Sequence, residues 1–279
     1  MNPLVTSSWL ASHLHDPRTI VVDASLPLIG VTPAVDCRAR YLEKHIPGAV
    51  FFDIEELSDH STPLPHMLPG AESFARSMSA LGISDDQVVV IYEQEGVFSA
   101  PRAWWMLRTF GVQDVHVLDG GLRAWTEGEY PTDSGEGRRE PAKFRAKLDQ
   151  DAVKDFGQIQ HMIAAHAQIL DARSAARFTG SAPEPRPGLT SGHMPGSTNV
   201  PFTELLEGGR MMSAEKLRAL FAAKGVDMEQ PIAATCGSGV TAAVIALGLE
   251  IAGAARVSLY DGSWAEYAQQ SDAVIEKSA

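Results

Sequence analysis

The sequence predicts an α/β protein made of two tandem domains, each a parallel β-sheet flanked by helices. Two observations support this fold class. Short apolar runs alternate with helical segments along the chain, which is the pattern of parallel strands joined by crossover helices. Four short motifs of the first half also recur in the same order in the second half. At 279 residues the chain is long enough for two such domains.

The repeat is made of four pairs of motifs. In each half the order is a strand ending in Asp, a His-x-Pro-Gly turn, a glycine turn leading into an apolar strand, and an Asp-Gly turn. The matched pairs are residues 20–24 and 169–173, 45–49 and 193–197, 81–92 and 224–235, and 118–121 and 260–263. Such a series indicates duplication, so we expect domains at residues 1–130 and 151–279. The segment 131–150 is rich in Pro, Gly and charged residues and is predicted to be a linker.

The elements of the first half follow from hydrophobic periodicity. Val88–Tyr92 is a predicted strand, and residues 100–110 form the helix after it. Val115–Leu118 is the next strand, and Gly121–Glu127 is its helix.

The second half contains a loop with a chemically informative cysteine. A short strand, Ile232–Thr235, ends at Cys236, a Gly-Ser-Gly turn follows, and a buried helix is predicted over residues 240–252. The N–H groups of the loop and the N-terminus of the helix would favour the thiolate form of the cysteine. When the strands before the two loops are aligned, the first half has Glu93 in place of the cysteine. We therefore expect the first domain to be catalytically silent.

Composition excludes several classes of function. The formal net charge is −12, from 35 acidic and 23 basic residues, which disfavours nucleic acid as a partner. No apolar run approaches the roughly 20 residues that a membrane span requires. The sequence also shows no basic flank before an apolar core, so we expect no signal peptide and no membrane partner. The protein is expected in the cytoplasm, as a monomer or a weak dimer.

The chain contains two cysteines, Cys37 and Cys236. A disulfide between them is not expected in a reducing cytoplasm. No CxxC motif or Cys/His cluster offers a zinc site, and the sequence predicts no metal and no cofactor. Cys37 precedes Arg38 and Arg40, and such a basic neighbourhood could lower the pKa of its thiol. We favour the interpretation that this cysteine is an exposed thiol without a role.

Several motifs resemble those of tandem-rhodanese sulfurtransferases. The second half is similar to the catalytic domain of that family at CGSGVTAA (236–243), HMPGSTNVPF (193–202), DARSAARF (171–178) and YDGSW (260–264). The first half is similar to the family's inactive domain at RYLEKHIPGAVFFD, PHMLPG, SAPRAWWML and LDGGLRAW. The resemblance covers nearly the whole chain. The loop CGSGVT resembles the 3-mercaptopyruvate sulfurtransferase subfamily, because thiosulfate sulfurtransferases tend to carry basic residues after the cysteine.

This resemblance implies transfer of sulfur from 3-mercaptopyruvate to a thiol or to cyanide. Cys236 would attack the substrate sulfur, keep it as a persulfide and release pyruvate. The loop residues that would contact the sulfur and the substrate are Gly237, Ser238, Gly239, Val240 and Thr241. The family's carboxylate-binding arginines correspond to Arg177 and Arg186, whose planar guanidinium groups suit that task. Candidate acceptors are thioredoxin, a small thiol and cyanide.

A proton relay is also implied by the resemblance. It would consist of Ser238 in the loop, His66, and an acid at Glu55 that sets the histidine tautomer. The family position can carry Asp, which is one methylene shorter, and Glu56 and Asp59 are alternative acids. A structural role is the alternative for His66. Since His66 and Glu55 lie in the first half, the silent domain would contribute to the site.

Three other functions fit parts of the sequence. Thiosulfate:cyanide sulfur transfer shares the fold and Cys236, but the neutral Gly-Ser-Gly turn offers no charge to a dianionic donor. A cysteine phosphatase would need an arginine six residues after the cysteine, where this chain has Ala242. A non-catalytic sulfur-carrier or binding module suits the first domain, which has Glu93, better than the second.

Overall fold

The computed structural model describes residues 2–28 and 33–278. The chain forms two compact units. The first unit comprises Met1–Asp59, Leu68–Asp149 and Gly208–Met211, and the second comprises His60–Met67, Gln150–Glu207 and Met212–Ala279. Sequence order therefore does not by itself decide the unit to which a residue belongs.

The first unit is built around a five-stranded parallel sheet. Its strands are β1 (Leu4–Val5), β2 (Thr19–Asp23), β3 (Val50–Phe51), β4 (Val88–Tyr92) and β5 (Val115–Leu118). Their order in the sheet is β1-β5-β4-β2-β3. Its helices are α1 (Ser7–His13), α2 (Cys37–Glu43), α3 (Ala71–Ala80), α4 (Ala100–Thr109) and α5 (Gly121–Glu127).

The second unit contains a sheet of the same kind. Its strands are β6 (Val153–Lys154), β7 (Gln168–Asp171), β8 (Thr198–Asn199), β11 (Ile232–Thr235) and β12 (Val257–Tyr260), in the order β6-β12-β11-β7-β8, all parallel. Its helices are α6 (Phe156–Ala164), α7 (Ala175–Thr179), α8 (Ala214–Ala223), α9 (Ala242–Ala252) and α10 (Ser263–Tyr267), with 3₁₀ turns at Gln150–Ala152 and Phe202–Leu205. Two very short strands remain, β9 (Leu206–Glu207) in this unit and β10 (Arg210–Met211) in the first.

The two sheets have equivalent strand orders, with β4 at the centre of one and β11 at the centre of the other. All residues of β2 and β11 are buried, as expected for parallel strands covered by helices on both faces. The predicted α/β fold with two duplicated domains is thereby confirmed. Cys236 and Glu93 each follow the central strand of their own unit.

The helix after the cysteine loop is shorter than predicted. We expected it to start at residue 240, whereas α9 starts at Ala242. Gly239 has a φ of +79°, a left-handed conformation that cannot belong to an α-helix and that glycine adopts without strain. The two residues after it complete the turn, so the apolar Val240 belongs to the loop rather than to the helix.

The segment that was expected to be a linker is held against the first unit. The N–H of Gly137 donates to the hydroxyl of Tyr41 at 2.9 Å, and the N–H of Ala142 donates to the carbonyl of Ser79 at 2.9 Å. A Cβ at Gly137 would lie 2.0 Å from the carbonyl oxygen of Ala49, so no other residue type fits there. These contacts fix the chain on its way to the second unit.

Each unit has its own apolar core. In the first, Trp125, Tyr41 and Tyr92 are fully buried among aliphatic residues. In the second, Trp264 and Tyr260 are fully buried in a separate apolar cluster. Among the described residues, no helix combines the length and the apolar character needed to cross a membrane.

Candidate active site

Cys236 lies at the carboxyl end of β11, where the strand passes into the loop before α9, and it is buried with 2% of its surface exposed. The start of α10 holds this point of the chain. The N–H of Cys236 donates to Ser263 Oγ at 3.2 Å. The N–H groups of Trp264 and Ala265 donate to the carbonyls of Cys236 and Gly237, each at 2.9 Å. The N–H and the carbonyl of Cys236 are therefore both hydrogen-bonded, which fixes the backbone that carries the thiol.

The rest of the loop offers hydrogen-bond donors. Within the part of the chain that the structure describes, the backbone N–H groups of residues 237–241 donate to no protein acceptor, and no protein donor bonds to Cys236 Sγ. The loop ends at the N-terminus of α9, where helix geometry leaves further N–H groups without intrahelical acceptors. Several donors around the cysteine are thus left for a ligand that carries negative charge.

Ser238 is the polar centre of the loop. It is 3% exposed, and its hydroxyl lies 2.9 Å from His66 Nδ1 and accepts a hydrogen bond from Arg186 Nη2 at 3.2 Å. His66 is 2% exposed and belongs to the segment His60–Met67 of the second unit. Its position in the sequence suggested the first domain, but the segment that carries it belongs to the second unit, together with Cys236.

Two arginines lie beside the loop. A Cβ built on Gly237 would be 2.9 Å from Arg177 Nη2 and 3.7 Å from Arg186 Nη1, so a larger residue there would displace the Arg177 guanidinium. Arg177 is carried by α7, and Arg186 follows in the segment after it. The structure therefore brings Cys236, Ser238, His66 and both predicted arginines together within the second unit.

Glu184 holds Arg177 in place. Its carboxylate is 1% exposed and accepts hydrogen bonds from Arg177 Nε at 3.2 Å and from Arg177 Nη2 at 2.5 Å. The same carboxylate accepts from Arg173 Nη1 at 2.9 Å. Such a bidentate contact restricts the direction of the guanidinium plane more than a single bond would.

Arg173 anchors this network in the core. Its side chain is fully buried, donates to Asp171 and to the carbonyl of Gly192, and lies 4.0 Å from the centroid of the Trp264 ring. Burial opposes the charge of Arg173, but the carboxylates of Asp171 and Glu184 outweigh it and raise the pKa of the guanidinium above its ordinary value. The chain Asp171–Arg173–Glu184–Arg177 is therefore an alternating and charge-balanced ion network.

A family model described as the rhodanese-like domain matches residues 6–128 and 155–270. The chain belongs to the rhodanese family. This rhodanese-family chain is 45% identical to the 3-mercaptopyruvate sulfurtransferase of Escherichia coli K12, over 98% of the chain and 97% of that relative. It is 44% identical to the Homo sapiens protein of the same name, over 98% of the chain and 95% of the relative. The thiosulfate sulfurtransferase of Bos taurus is also 44% identical, over 95% of the chain and 91% of the relative.

Solved structures give the same result. The crystal structure of SseA from Escherichia coli, described under 3-mercaptopyruvate sulfotransferases, has a TM-score of 0.87 at 43% identity and covers 95% of this chain and 100% of that one. Tum1 from Saccharomyces cerevisiae has a TM-score of 0.89 at 29% identity and covers 99% and 98% of the two chains. The resemblance to tandem-rhodanese proteins that the motifs indicated is confirmed.

The first rhodanese-like unit has a carboxylate where the second has its thiol. Glu93 follows β4, is 4% exposed, and its Oε2 accepts hydrogen bonds from Ser99 Oγ at 2.8 Å, from the N–H of Ala100 at 2.9 Å and from the N–H of Ser99. The side chain therefore caps the N-terminus of α4 from inside the loop. Burial raises the pKa of Glu93 to about 7, although these donors oppose the rise.

Glu55, the predicted acid of the relay, lies in the first unit. It is exposed on the turn after β3, and its N–H donates to Asp53 Oδ1 at 3.1 Å. Its part in a proton relay remains a prediction.

Cys37 was expected to be an exposed thiol without a role, with a lowered pKa as the alternative, and the structure corrects its exposure. The residue is half-buried at the start of α2, and both cysteines are free. Burial, reinforced by the charge of Asp23, raises the pKa of the Cys37 thiol to about 11, and the opposing effect of Arg40 is smaller. A lowered pKa at this position is therefore wrong, and the thiol is a poor nucleophile at neutral pH.

Sequence reasoning missed three residues of the site: Arg173, Glu184 and Ser263. Each lies inside or beside a motif that was recognised, but none belongs to a pattern that predicts a role. The available signal was one acidic residue, Glu184, among three arginines, Arg173, Arg177 and Arg186. Among the described residues, no group of three or more His, Cys, Asp or Glu side chains is arranged to hold a metal ion.

Proposed function

We propose that the protein is a 3-mercaptopyruvate sulfurtransferase that carries sulfur as a persulfide on Cys236. The observation that carries this proposal is the buried cysteine at the entrance of a loop with unused N–H donors, next to two arginines. Relatives named 3-mercaptopyruvate sulfurtransferase are 44–45% identical over nearly the whole chain. The product would be pyruvate, and the acceptor a thiol or cyanide.

The first step is attack of the Cys236 thiolate on the thiol sulfur of 3-mercaptopyruvate. A sulfur–sulfur bond forms, the carbon–sulfur bond of the substrate breaks, and its electron pair remains on carbon as the enolate of pyruvate. The enolate takes one proton and leaves as pyruvate. The outer sulfur, once its own proton is lost, is an anion that the N–H groups of residues 237–241 would stabilise.

The arginines would hold the substrate carboxylate beside the loop. Arg186 reaches both the vicinity of Gly237 and the hydroxyl of Ser238, so one guanidinium links the binding of the carboxylate to the polar centre of the loop. The charge of Arg177 is balanced by Glu184.

Ser238 and His66 would manage the proton. With Arg186 donating to Ser238 Oγ, the hydroxyl hydrogen is available for His66 Nδ1 or for the substrate. A histidine exchanges protons readily near neutral pH, so the pair can deliver a proton to the enolate carbon or to its oxygen. Glu55 is the acid that we propose to orient the ring, with the family pattern as its support.

Thiosulfate:cyanide transfer is the second candidate, because the thiosulfate sulfurtransferase of Bos taurus is 44% identical to this chain. The residues after Cys236 weigh against it, since Gly237, Ser238 and Gly239 carry no positive charge. We propose thioredoxin or a small thiol as the natural acceptor, and a cytoplasmic protein that is a monomer or a weak dimer. The two free thiols are consistent with a reducing compartment.

One experiment separates these functions. The specificity constants for 3-mercaptopyruvate and thiosulfate are compared for the parent protein and for Cys236→Ser, with cyanide as the acceptor. We expect a clear preference for 3-mercaptopyruvate and no pyruvate release from the variant. Turnover at the parent rate in Cys236→Ser would refute the persulfide mechanism, and a preference for thiosulfate would replace the proposed donor.

A further inference from the structure

Ser263 has a backbone conformation that is unusual for a residue with a side chain. Its φ is +49°, and it is fully buried at the start of α10. Among the described residues, three other non-glycine residues have positive φ: His66, Glu129 and His166. Glu129 and His166 are exposed, so the two buried members of this group are Ser263 and His66, and both contact the catalytic loop. Strained residues of this kind persist where the surroundings require them, often at functional sites.

The first unit shows what this position looks like without a side chain. The residue equivalent to Ser263 is Gly121, with a φ of +62°, at the start of α5. The N–H of Leu122 donates to the carbonyl of Glu93 at 2.8 Å, just as the N–H of Trp264 donates to the carbonyl of Cys236. The turn and the backbone contact are thus common to both units.

The silent unit has no room for a side chain at this position. A Cβ on Gly121 would lie 2.4 Å from the carbonyl oxygen of Glu93. The preceding glycines differ, since Gly120 has a φ of +86° whereas Gly262 has a φ of −64°. The catalytic unit therefore turns its chain differently before Ser263 and admits a hydroxymethyl group there.

The hydroxyl of Ser263 connects three parts of the catalytic unit. It donates to the carbonyl of Tyr260 at 2.8 Å, at the end of β12. It accepts from the N–H of Cys236 at 3.2 Å, and it lies 3.4 Å from Thr235 Oγ1 at the end of β11. Because the Cys236 N–H is buried, loss of this acceptor would leave a buried donor unsatisfied.

We propose that Ser263 is a positioning residue for the nucleophile, through its hydrogen bond to the backbone of Cys236. The bond fixes the first peptide of the loop and thereby the origin of the Cys236 side chain relative to the donors of residues 237–241. The inference rests on the proposed function, since it concerns the reactivity of Cys236 in sulfur transfer. It explains why the catalytic unit retains a serine in a conformation that the silent unit assigns to glycine.

The test uses Ser263→Gly, which removes the hydroxyl and relieves the backbone, and Ser263→Ala, which removes only the hydroxyl. Both are made in a Cys37→Ser background, so that Cys236 is the chain's remaining thiol. The matched control is Ser258→Ala, because Ser258 is a buried serine whose hydroxyl bonds to the carbonyl of Ile232 at the other end of β11, at 3.2 Å.

Two quantities are measured: the pH profile of Cys236 alkylation by iodoacetamide, and kcat and KM for 3-mercaptopyruvate. We expect both Ser263 variants to lower kcat by about tenfold to a hundredfold, since a displacement of about 1 Å at a reacting group can have that effect. KM should stay within about twofold, because neither arginine bonds to Ser263, and the alkylation profile should change in midpoint or plateau. Ser258→Ala should change neither quantity, whatever its effect on thermal stability.

Unchanged kcat and an unchanged alkylation profile in Ser263→Gly would overturn the inference. An effect equal to that of Ser258→Ala would also overturn it, by showing that any buried serine near β11 acts in the same way. Failure of the proposed function has a different signature, namely sulfur transfer by Cys236→Ser at the parent rate. If Cys236→Ser is inactive while Ser263→Gly behaves like the parent, only the positioning role is refuted.

Discussion

Glu93 makes the stability of the first unit depend on pH, and replacing it with glutamine tests this directly. Its carboxyl is buried, and burial raises its pKa from 4.5 to about 7. In the unfolded chain the carboxyl ionises near its ordinary value, so between pH 4.5 and 7 the folded state binds more protons than the unfolded one. The free energy of unfolding therefore falls as pH rises through this window.

The size of the effect follows from the shift. Since one pKa unit corresponds to about 1.4 kcal/mol, the rise from 4.5 to about 7 costs the folded state about 3 kcal/mol above pH 7. Below pH 4.5 both states are protonated and the cost is absent. In Glu93→Gln the side chain stays neutral at every pH, so this part of the pH dependence should vanish.

The assay is urea unfolding at pH values from 5 to 8, followed by tryptophan fluorescence. Four of the five tryptophans belong to the first unit, so the signal reports mainly on it: Trp9, Trp104, Trp105 and Trp125. The quantity to compare is the change in unfolding free energy from pH 5 to pH 8, parent minus variant. This difference cancels the loss of one carboxylate oxygen as a hydrogen-bond acceptor, which acts equally at all pH values.

A matched control is Glu95→Gln, because Glu95 is exposed and pairs with the partly exposed Arg40 at 2.8 Å. Exposed ion pairs contribute little, so this variant should retain the pH dependence of the parent. Parallel pH–stability curves for the parent and Glu93→Gln would show that Glu93 is ionised in the folded protein without cost, and the reasoning about its burial would be wrong. Sulfur transfer should be unaffected in both variants.

Three further predictions concern the second unit. Arg186→Ala should raise KM for 3-mercaptopyruvate at least about tenfold, since a charged hydrogen bond contributes about 1.5–3 kcal/mol. The control is Arg256→Ala, which removes an exposed arginine. An equal rise in KM for thiosulfate in steady-state kinetics would contradict a carboxylate role for Arg186. Glu184→Gln should lower the unfolding free energy by about 3 kcal/mol, because it leaves buried Arg173 without one of its carboxylates. It should also raise KM for 3-mercaptopyruvate. A melting curve like that of the parent would contradict the expected loss of stability. Ser238→Ala should reduce kcat about tenfold or more with little change in KM, measured by pyruvate release, and an unchanged kcat would exclude the proton relay.

The fold was predictable because the same series of strand and turn motifs occurs in both halves of the sequence. Val88–Tyr92 and Ile232–Thr235 were identified as strands, and they form the central strands β4 and β11 with those bounds. Buried parallel strands are short, apolar and bounded by turns, so their pattern survives without tertiary information. The start of α9 was less predictable, because the apolar Val240 continues the hydrophobic pattern of the helix although it belongs to the loop.

The site residues that could be predicted are those whose side chains have a characteristic reactivity or charge. Cys236, Arg177 and Arg186 were named from motifs, and the structure gathers the two guanidinium groups around Gly237 beside the cysteine. Glu184 and Ser263 were not named, because their roles depend on what they contact rather than on what they are. A glutamate among arginines is a solvated charge in most sequences, and a serine after Asp-Gly is a turn residue.

The amino-acid sequence by itself determined the duplicated α/β fold and the family, because both follow from local patterns that recur in the two halves, and the difference between Glu93 and Cys236 marked the second loop as the candidate site. Only the tertiary structure decided that His66 packs with the second unit, where its ring meets Ser238 at 2.9 Å. It also decided that Arg177 is held by a buried carboxylate and that Cys37 is a weak acid. Contacts between residues far apart in the chain, and the loss of solvent around them, set these properties, and neither can be obtained from local sequence.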